Sequence, residues 1–429
     1  MSGENPRQIA LRALRRGASG EFLEDRLEAE LSRIHLSPPD RRLCQELAYG
    51  VVRWQATLDW LIARKSDARE QKPALQNILR LGLYQIFWLD RIPPHAAVNE
   101  TVELARQSHF HAQAGFLNAV LRNYLREAEE TKRLLAELRM QQPHLGYSHP
   151  EWLVKRWQQR WGAENAASLM QWNNTPPGTY ARVNTLKTDA AKLLAQWREE
   201  NVEYDFFRKN WTGENTIFLL KNHPPLARMH SFQQGWFYIQ DPSTLLAVQQ
   251  LSPQPGESVL DLCAAPGGKL TYIAQLMRNE GILVAHDTSP ERVKLIEQNC
   301  ARLGVTCVRS ISALAHQPSS HFDRILIDAP CSNTGVMRRR VDLRWRITPE
   351  EVTRLRATQR ELLVQAAARL CPGGTLVYST CSLEPEENGE VVQEFVAANP
   401  SFTLELTREL TPFADAVDGT YVARMVKNP

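Results

Sequence analysis

Two cysteines and an aspartate stand where apolar runs of the chain end. Cys331 closes Asp328-Ala-Pro-Cys331 after Ile325-Leu-Ile327, and Cys381 closes Ser379-Thr-Cys381 after Thr375-Leu-Val-Tyr378. A third segment, Asp261-Leu-Cys-Ala-Ala-Pro-Gly-Gly-Lys269, follows the apolar run Ser258-Val-Leu-Asp-Leu262 and ends in two glycines that open a helical pattern from Leu270 to Met277. Glycine lets backbone come close to a ligand because it has no Cβ. A helix start also presents N–H groups without intrahelical partners. In an open parallel sheet such strand ends converge on one crevice. The arrangement therefore predicts a nucleotide-like ligand facing two thiols, and covalent chemistry between them. A single thiol would ordinarily be a small apolar core residue; two at neighbouring strand ends are harder to explain that way.

The glycine turn departs from the common phosphate-binding patterns. A P-loop needs G-x-x-x-x-G-K-[ST], but Cys263 stands at its first glycine and Leu270 at its Ser/Thr. The dinucleotide pattern G-x-G-x-x-G is absent as well. The next apolar strand, Ile282-Leu-Val-Ala285, is followed by Asp287, well placed to accept hydrogen bonds from ribose hydroxyls. That combination suits S-adenosylmethionine better than ATP or NAD.

These segments carry a resemblance. Leu260-Asp-Leu-Cys-Ala-Ala-Pro-Gly-Gly-Lys269, Phe322-Asp-Arg-Ile-Leu-Ile-Asp-Ala-Pro-Cys-Ser332, Gly373-Gly-Thr-Leu-Val-Tyr-Ser-Thr-Cys-Ser382 and Glu384-Pro-Glu-Glu-Asn388 together resemble the NOL1/NOP2/Sun family of RNA cytosine-5 methyltransferases. The resemblance implies methyl transfer from S-adenosylmethionine to C5 of a cytosine, in small-subunit ribosomal RNA. Another RNA, such as transfer RNA, is the alternative substrate. A non-catalytic RNA-binding or assembly factor is the alternative class.

The chemistry at C5 explains why a thiol is needed. A thiolate adding at C6 breaks the ring's conjugation and makes C5 enamine-like; a base must then remove the C5 proton so that the thiolate can leave. Spacing does not choose between the two thiols. By resemblance Cys381 attacks and Cys331 assists release, whereas DNA cytosine-5 methyltransferases use a Pro-Cys thiol, so the reverse assignment stays open. Asp328 is the candidate for a hydrogen bond at N3 of the base, donating when protonated, a state that burial favours. By position, the backbone of Cys263, Ala264, Ala265, Pro266, Gly267 and Gly268 approaches the methionine part of the cofactor. Lys269 pairs with its carboxylate, Asp287 takes the ribose, and Asp328 lies near cofactor and base. Cys44, Cys263, Cys300, Cys307 and Cys371 are expected to be structural. The resemblance breaks at two places. The usual acidic adenine contact falls at Ile311 in the best register, with Ser310 and Ser312 as substitutes. Arg340-Val341 stand where the family has His-Pro.

Composition bounds the reading. The chain has 429 residues, 43% hydrophobic, so two or three domains with real cores are expected. Seven cysteines without CxxC pairs suggest a reducing cytoplasm and neither a disulfide framework nor a metal site. No apolar run reaches membrane-spanning length, and the start lacks signal-peptide character. A net charge of +3 leaves RNA binding to local patches. Oligomeric state is open, with a monomer as the working expectation.

The predicted organisation is three-part: an all-α domain over 1–140, a small α+β subdomain over 150–235 that the resemblance implies binds RNA, and a C-terminal α/β Rossmann-like domain over 236–429 that it implies is the methyltransferase. In the first, Leu43, Leu47 and Val51 beside Cys44, Ala48 and Val52 form a helical stripe behind the entry Pro38-Pro39-Asp40. Glu46-Leu-Ala-Tyr-Gly-Val-Val-Arg53, Asn99-Glu100 and Phe116-Leu-Asn-Ala-Val-Leu-Arg122 resemble the antitermination factor NusB, which implies an RNA-binding domain. Arg15, Arg16, Arg41, Arg42 and Arg53 are candidate phosphate contacts. Gln141 to Pro150 reads as a linker. Trp152, Trp157 and Trp161 at helical spacing read as core ahead of base-stacking. Arg338-Arg-Arg-Val-Asp-Leu-Arg-Trp-Arg346 reads as a phosphate-contacting, base-stacking loop.

Overall fold

Ser37, Pro38 and Pro39 start a helix for two physical reasons. The Ser37 hydroxyl accepts a hydrogen bond from the Asp40 N–H at 3.2 Å, and proline in the first turn removes an N–H that has no helical partner. The helix runs Pro38–Arg53, and its stripe is buried as the spacing predicts: Cys44, Leu47 and Ala48 have no exposure. In the computed structural model, which describes residues 5–15, 21–66, 71–311 and 321–429, helices Pro6–Ala13, Leu23–Ser32, Gln55–Lys65, Pro73–Trp88, Pro94–Gln107, Ala114–Arg126 and Ala128–Gln141 pack with it around one apolar cluster.

The chain forms two compact units: Met1–Pro176 with Met337–Arg346, and Pro177–Val336 with Ile347–Pro429. In the first unit the segment expected as a linker is packed. It carries a short helix Pro143–Gly146, and Ser148 and His149 are buried. The reason is local bonding: the Ser148 hydroxyl accepts from the Ala56 N–H at 3.0 Å, and the Leu145 carbonyl accepts from Thr57 at 2.5 Å. In helix Glu151–Asn173, Trp157 is core, while Trp152 and Trp161 are half-buried beneath the guanidinium groups of Arg156 and Arg160.

The arginine-rich segment is also not a free loop. The terminal nitrogens of Arg344, fully buried, donate to the carbonyls of Arg53, Ser148 and Asn173 at 3.1, 3.1 and 2.9 Å and to the Asn174 side chain at 2.8 Å. Arg53 and Asn173 end helices, where carbonyls lack intrahelical donors and the helix dipole favours a cation. Trp345 donates to the Val52 carbonyl at 2.9 Å, and Arg338 lies 3.9 Å from the centroid of Trp172 with 4% exposure. Phosphate contact by Arg338, Arg344 and Arg53 is thereby overturned: all three are buried, at 4%, 0% and 4% exposure. Arg15 and Arg42 are exposed, Arg41 pairs with Glu28 at 3.2 Å, and Arg16 lies outside the described residues.

The second unit holds two sheets. A four-stranded antiparallel sheet comprises β1 (Thr179–Val183), β2 (Glu203–Phe206), β3 (Ile217–Asn222) and β4 (Phe237–Ile239), in the order β2-β3-β1-β4. A seven-stranded sheet follows: β5 (Ser258–Asp261), β6 (Ile282–His286), β7 (Val308–Ile311), β8 (Phe322–Asp328), β9 (Leu370–Thr380), β10 (Phe402–Leu410) and β11 (Thr420–Lys427). Its order is β10-β11-β9-β8-β5-β6-β7. Strands β5 to β9 are parallel, and β10 and β11 pair antiparallel. Ile325, Leu326 and Ile327 of β8 have no exposure, as continuous apolar runs require when both faces are covered. The chain passes from β5 to β6 on one side and reaches β8 on the other, so the order reverses beside β5, where such sheets take their ligands.

Candidate active site

The carboxyl ends of four strands bring the predicted residues together. Asp261 ends β5, Asp287 follows β6, Asp328 ends β8, and Cys381 follows β9 directly. The register pairs Asp328 with Ser379, and the Ala329 N–H donates to the Ser379 carbonyl at 2.8 Å. Gly335 then ties the loop after Cys331 to the end of β9: its N–H donates to the Cys381 carbonyl at 2.9 Å. A Cβ there would lie 2.8 Å from that oxygen, so only glycine permits the approach.

The two sulfur atoms lie 3.3 Å apart. Cys331 is buried, and Cys381 is half-buried. The hydrogen bond with Cys381 and then burial push the Cys331 thiol well above its usual value. Beneath the pair lies Glu387, fully buried. Its carboxylate accepts from the Ser332 N–H at 2.8 Å, the Ser382 hydroxyl at 2.5 Å, the Gln359 amide at 3.1 Å and the Ser332 hydroxyl. One carboxylate thus fixes the residue after each cysteine. Burial raises the Glu387 carboxyl above the usual range, and its hydrogen bonds work against that rise.

Beside the thiols, the Lys269 ammonium meets Asp328 at 2.6 Å, and the Ser379 hydroxyl donates to the other Asp328 oxygen at 3.0 Å. Burial alone would lower the lysine's pKa, but the Asp328 charge and hydrogen bond outweigh it and the net shift is upward. The Cys381 sulfur is also within electrostatic reach of this cation. Asp328 is therefore an acceptor on both oxygens in this geometry.

Asp261 is the opposite case. It is 1% exposed, and neither carboxylate oxygen has a well-formed hydrogen bond. Burial, then the Asp328 charge, push its carboxyl up to about 7, with Lys269 and the Cys263 N–H pulling the other way. A buried, unsatisfied carboxylate at a ligand crevice suits a cationic ligand group such as an ammonium. The turn from Cys263 to Lys269 lies alongside. Gly267 has φ 103°, open only to glycine without strain, and helix Gly268–Leu276 starts there with its first N–H groups available. Asp287, 4% exposed, accepts from the Ala265 N–H at 3.3 Å and the Ser289 N–H at 3.2 Å, and pairs with Arg292 at 3.3 Å. It braces the turn and keeps one lone pair for a hydroxyl.

The small sheet supports this turn. Arg182 of β1, 1% exposed, donates to the Gly268 carbonyl at 3.3 Å and to Thr271 at 3.1 Å, with Tyr272 stacked 4.6 Å away. Gln275 donates to the Val183 carbonyl at 2.9 Å.

Cys331, Cys381, Asp328, Asp287 and the turn Cys263 to Lys269 thus lie at the carboxyl edge of β5, β6, β8 or β9. The side chain of Ile311, and Ser312, lie outside the described residues. Cys44 and Cys300 are buried. Burial raises the Cys263 thiol first, with the charges of Asp261, Asp328 and Asp287 adding to it. Among the described residues no cluster of His, Cys, Asp and Glu could hold a metal ion, and no helix is long and apolar enough to cross a membrane. Sequence reading missed Asp261, Asn333 and Glu387. Two of them left a signal: Asp261 is a charged residue inside the apolar run Val259-Leu-Asp-Leu262, and Glu387 lies in the quoted segment Glu384-Pro-Glu-Glu-Asn388.

Solved structures place this architecture among methyltransferases. A methyltransferase homologue from Pyrococcus horikoshii aligns with TM-score 0.59 at 32% identity, covering 66% of this chain and 97% of that one. The crystal structure of PH0851 shares the fold across 99% of both chains, with TM-score 0.80 and 24% identity.

The sequence comparisons narrow the class. The profile of the 16S rRNA methyltransferase RsmB/F family matches residues 248–426, that of the NusB family 4–126, and that of the RsmF/B-like ferredoxin-like domain 149–212. The probable ribosomal RNA small subunit methyltransferase B of Bacillus subtilis is 36% identical over 95% of this chain and 92% of its own length. Ribosomal RNA small subunit methyltransferase B of Klebsiella pneumoniae is 34% identical over 96% of this chain and 98% of its own. The chain belongs to the RsmB/F family of 16S rRNA methyltransferases.

Proposed function

We propose that this protein transfers a methyl group from S-adenosylmethionine to C5 of a cytosine in small-subunit ribosomal RNA, in the cytoplasm, through a covalent bond between Cys381 and C6. The observation that carries this reading is the pair of sulfur atoms 3.3 Å apart beside the Lys269–Asp328 ion pair. S-adenosylmethionine supplies an electrophilic methyl group. The unsatisfied Asp261 carboxylate suits its ammonium, the first turn of helix Gly268–Leu276 its carboxylate, and Asp287 its ribose.

Two thiols in contact do not readily ionise together. Cys331 is buried and Cys381 half-buried, so Cys381 is the thiol that an incoming base reaches. This favours the Thr-Cys nucleophile over the reverse assignment. The Cys381 proton passes to the Asp328 carboxylate, the sulfur's electron pair bonds C6, and the ring's electrons move toward C5 and N3. The Lys269 cation lies within reach of Cys381 and pairs with Asp328, so it stabilises negative charge at this spot. After methyl transfer a base removes the C5 proton, the electron pair returns to the ring, and the sulfur leaves C6. Cys331, beside that sulfur, is the release residue. Asp328 faces the base at N3; donating there requires it to take up a proton and loosen its bond to Lys269.

The test is nucleoside analysis of small-subunit and transfer RNA after incubation with labelled S-adenosylmethionine. Label in 5-methylcytidine of the ribosomal RNA is expected. Label confined to transfer RNA would move the substrate, and label in another nucleoside would overturn the C5 chemistry. Cys331→Ala is expected to accumulate a protein–RNA adduct; its absence would remove the release role.

A further inference from the structure

The loop between the thiols carries a group that this mechanism does not use. Asn333 is half-buried and adopts φ 57°, in the left-handed region that asparagine tolerates better than most residues. Its amide nitrogen donates to the Cys331 carbonyl at 2.7 Å. That bond fixes which way the amide points, because the turned-over amide would set two oxygens against each other. With the nitrogen anchored, the amide oxygen faces Cys381 and accepts its S–H at 2.9 Å.

We propose that Asn333 is a positioning residue that restrains the attacking thiol, holding the proton on the Cys381 sulfur while no base is bound. The proposal rests on Cys381 being the nucleophile. An amide oxygen is too weak a base to remove the proton, so it stabilises the thiol and opposes the thiolate. It competes with the Lys269 cation, which favours the thiolate. Besides Lys269 and its partner Asp328, the titratable groups that bear on the pair among the described residues are Glu387 and Tyr378, both acting on Cys331. Attack requires the Asn333 oxygen to give up the sulfur, either by turning its amide and leaving the Cys331 carbonyl or by moving aside. Reactivity is thereby kept low until the site is filled, which protects an accessible thiol from stray electrophiles.

The test is the rate at which iodoacetamide alkylates Cys381 in the full chain without RNA, read peptide by peptide by mass spectrometry. Asn333→Gly removes the acceptor at a φ that glycine adopts freely. It is expected to speed Cys381 alkylation about fivefold, the equivalent of a hydrogen bond worth about 1 kcal/mol. Asn333→Asp keeps the side-chain size but loses the anchor on the Cys331 carbonyl, and a carboxylate anywhere beside the sulfur opposes the thiolate by its charge. It is expected to slow the same reaction by at least that factor. Cys44 and Cys300, both buried, report unfolding if they react. Rates within twofold of the parent in both folded variants, or changes in the same direction, would overturn the proposal. Loss of folding in Asn333→Gly leaves the Asn333→Asp result to decide. Adduct trapping on fluorinated RNA tests the nucleophile separately. Opposite alkylation changes with adduct formation through Cys331 would overturn the catalytic role of Asn333 and leave the local geometry standing.

Discussion

Two stretches of chain five residues apart treat buried polar groups in opposite ways. Arg338–Arg346 pairs its main polar groups within its own unit: each terminal nitrogen of Arg344 finds a carbonyl or amide oxygen, and Trp345 and Asp342 are bonded to the same helical unit, with Arg344 Nε and one Asp342 oxygen left over. Cys331–Asn333 and its surroundings do not. Two thiols are pressed together, and Asp261 is buried with no well-formed partner. Both stretches look equally suited to chemistry in the sequence, one with arginines around a tryptophan and one with a cysteine after a proline. Burial does not separate them either. What separates them is the kind of group left over: the arginine segment holds its cation against several carbonyls, while the site leaves two thiols in contact and a carboxylate with neither oxygen well bonded for a ligand to complete.

That contrast can be broken by substitution. The largest stability effect is expected at Arg344→Met, which leaves the carbonyls of Arg53, Ser148 and Asn173 without donors. At about 1 kcal/mol or more each, the loss is about 3 kcal/mol. Urea unfolding followed by tryptophan fluorescence checks it; an unchanged midpoint would return the segment to a surface role.

Asp261 sharpens the other side. Its carboxyl rises from 3.8 to about 7 on folding. The folded state therefore binds its proton more tightly than the unfolded chain, so the group is harmless below pH 3.8 and increasingly destabilising as pH rises toward 7. The penalty is at most about 4 kcal/mol, at about 1.4 kcal/mol per pKa unit, and less where water reaches the crevice. Asp261→Asn is expected to melt higher than the parent at pH 8, with a smaller gain at pH 5, and to bind S-adenosylmethionine more weakly. Equal melting shifts at both pH values would show that the carboxylate is satisfied after all.

The smallest effect is expected at Arg338→Gln. Losing the contact with Trp172 removes about 1 kcal/mol of stability, while the salt dependence of RNA binding stays unchanged. A flatter salt slope would instead restore Arg338 as a phosphate contact.

What the sequence disclosed was local. The turn at Gly267 and Gly268, the apolar strands β5, β6 and β8, and the stripe of helix Pro38–Arg53 follow from patterns within a few residues. Cys331 and Cys381 were placed at strand ends by the same logic, and parallel pairing of β8 with β9 brings them together. Other roles depend on partners far along the chain. Glu387 joins Ser332 to Ser382, Arg182 reaches Thr271 across 89 residues, and Arg344 serves carbonyls near Arg53 and Asn173. No period or spacing encodes these, since each depends on a pairing that exists only once the sheet or the helical unit has formed. The phosphate-contact reading failed at Arg338 and Arg344 for that reason: composition gave their charge, and only the fold showed them buried, with carbonyls absorbing the charge of Arg344.

The most direct measurement is adduct trapping on small-subunit ribosomal RNA carrying 5-fluorocytidine, with S-adenosylmethionine present, because fluorine at C5 blocks removal of the final proton. A denaturation-resistant, cofactor-dependent adduct is expected with the parent chain and with Cys331→Ala, and none with Cys381→Ala. An adduct that survives Cys381→Ala and disappears in Cys331→Ala would contradict the assignment of the thiols. No adduct in any of the three, despite measured binding of RNA and cofactor, would contradict the covalent route itself.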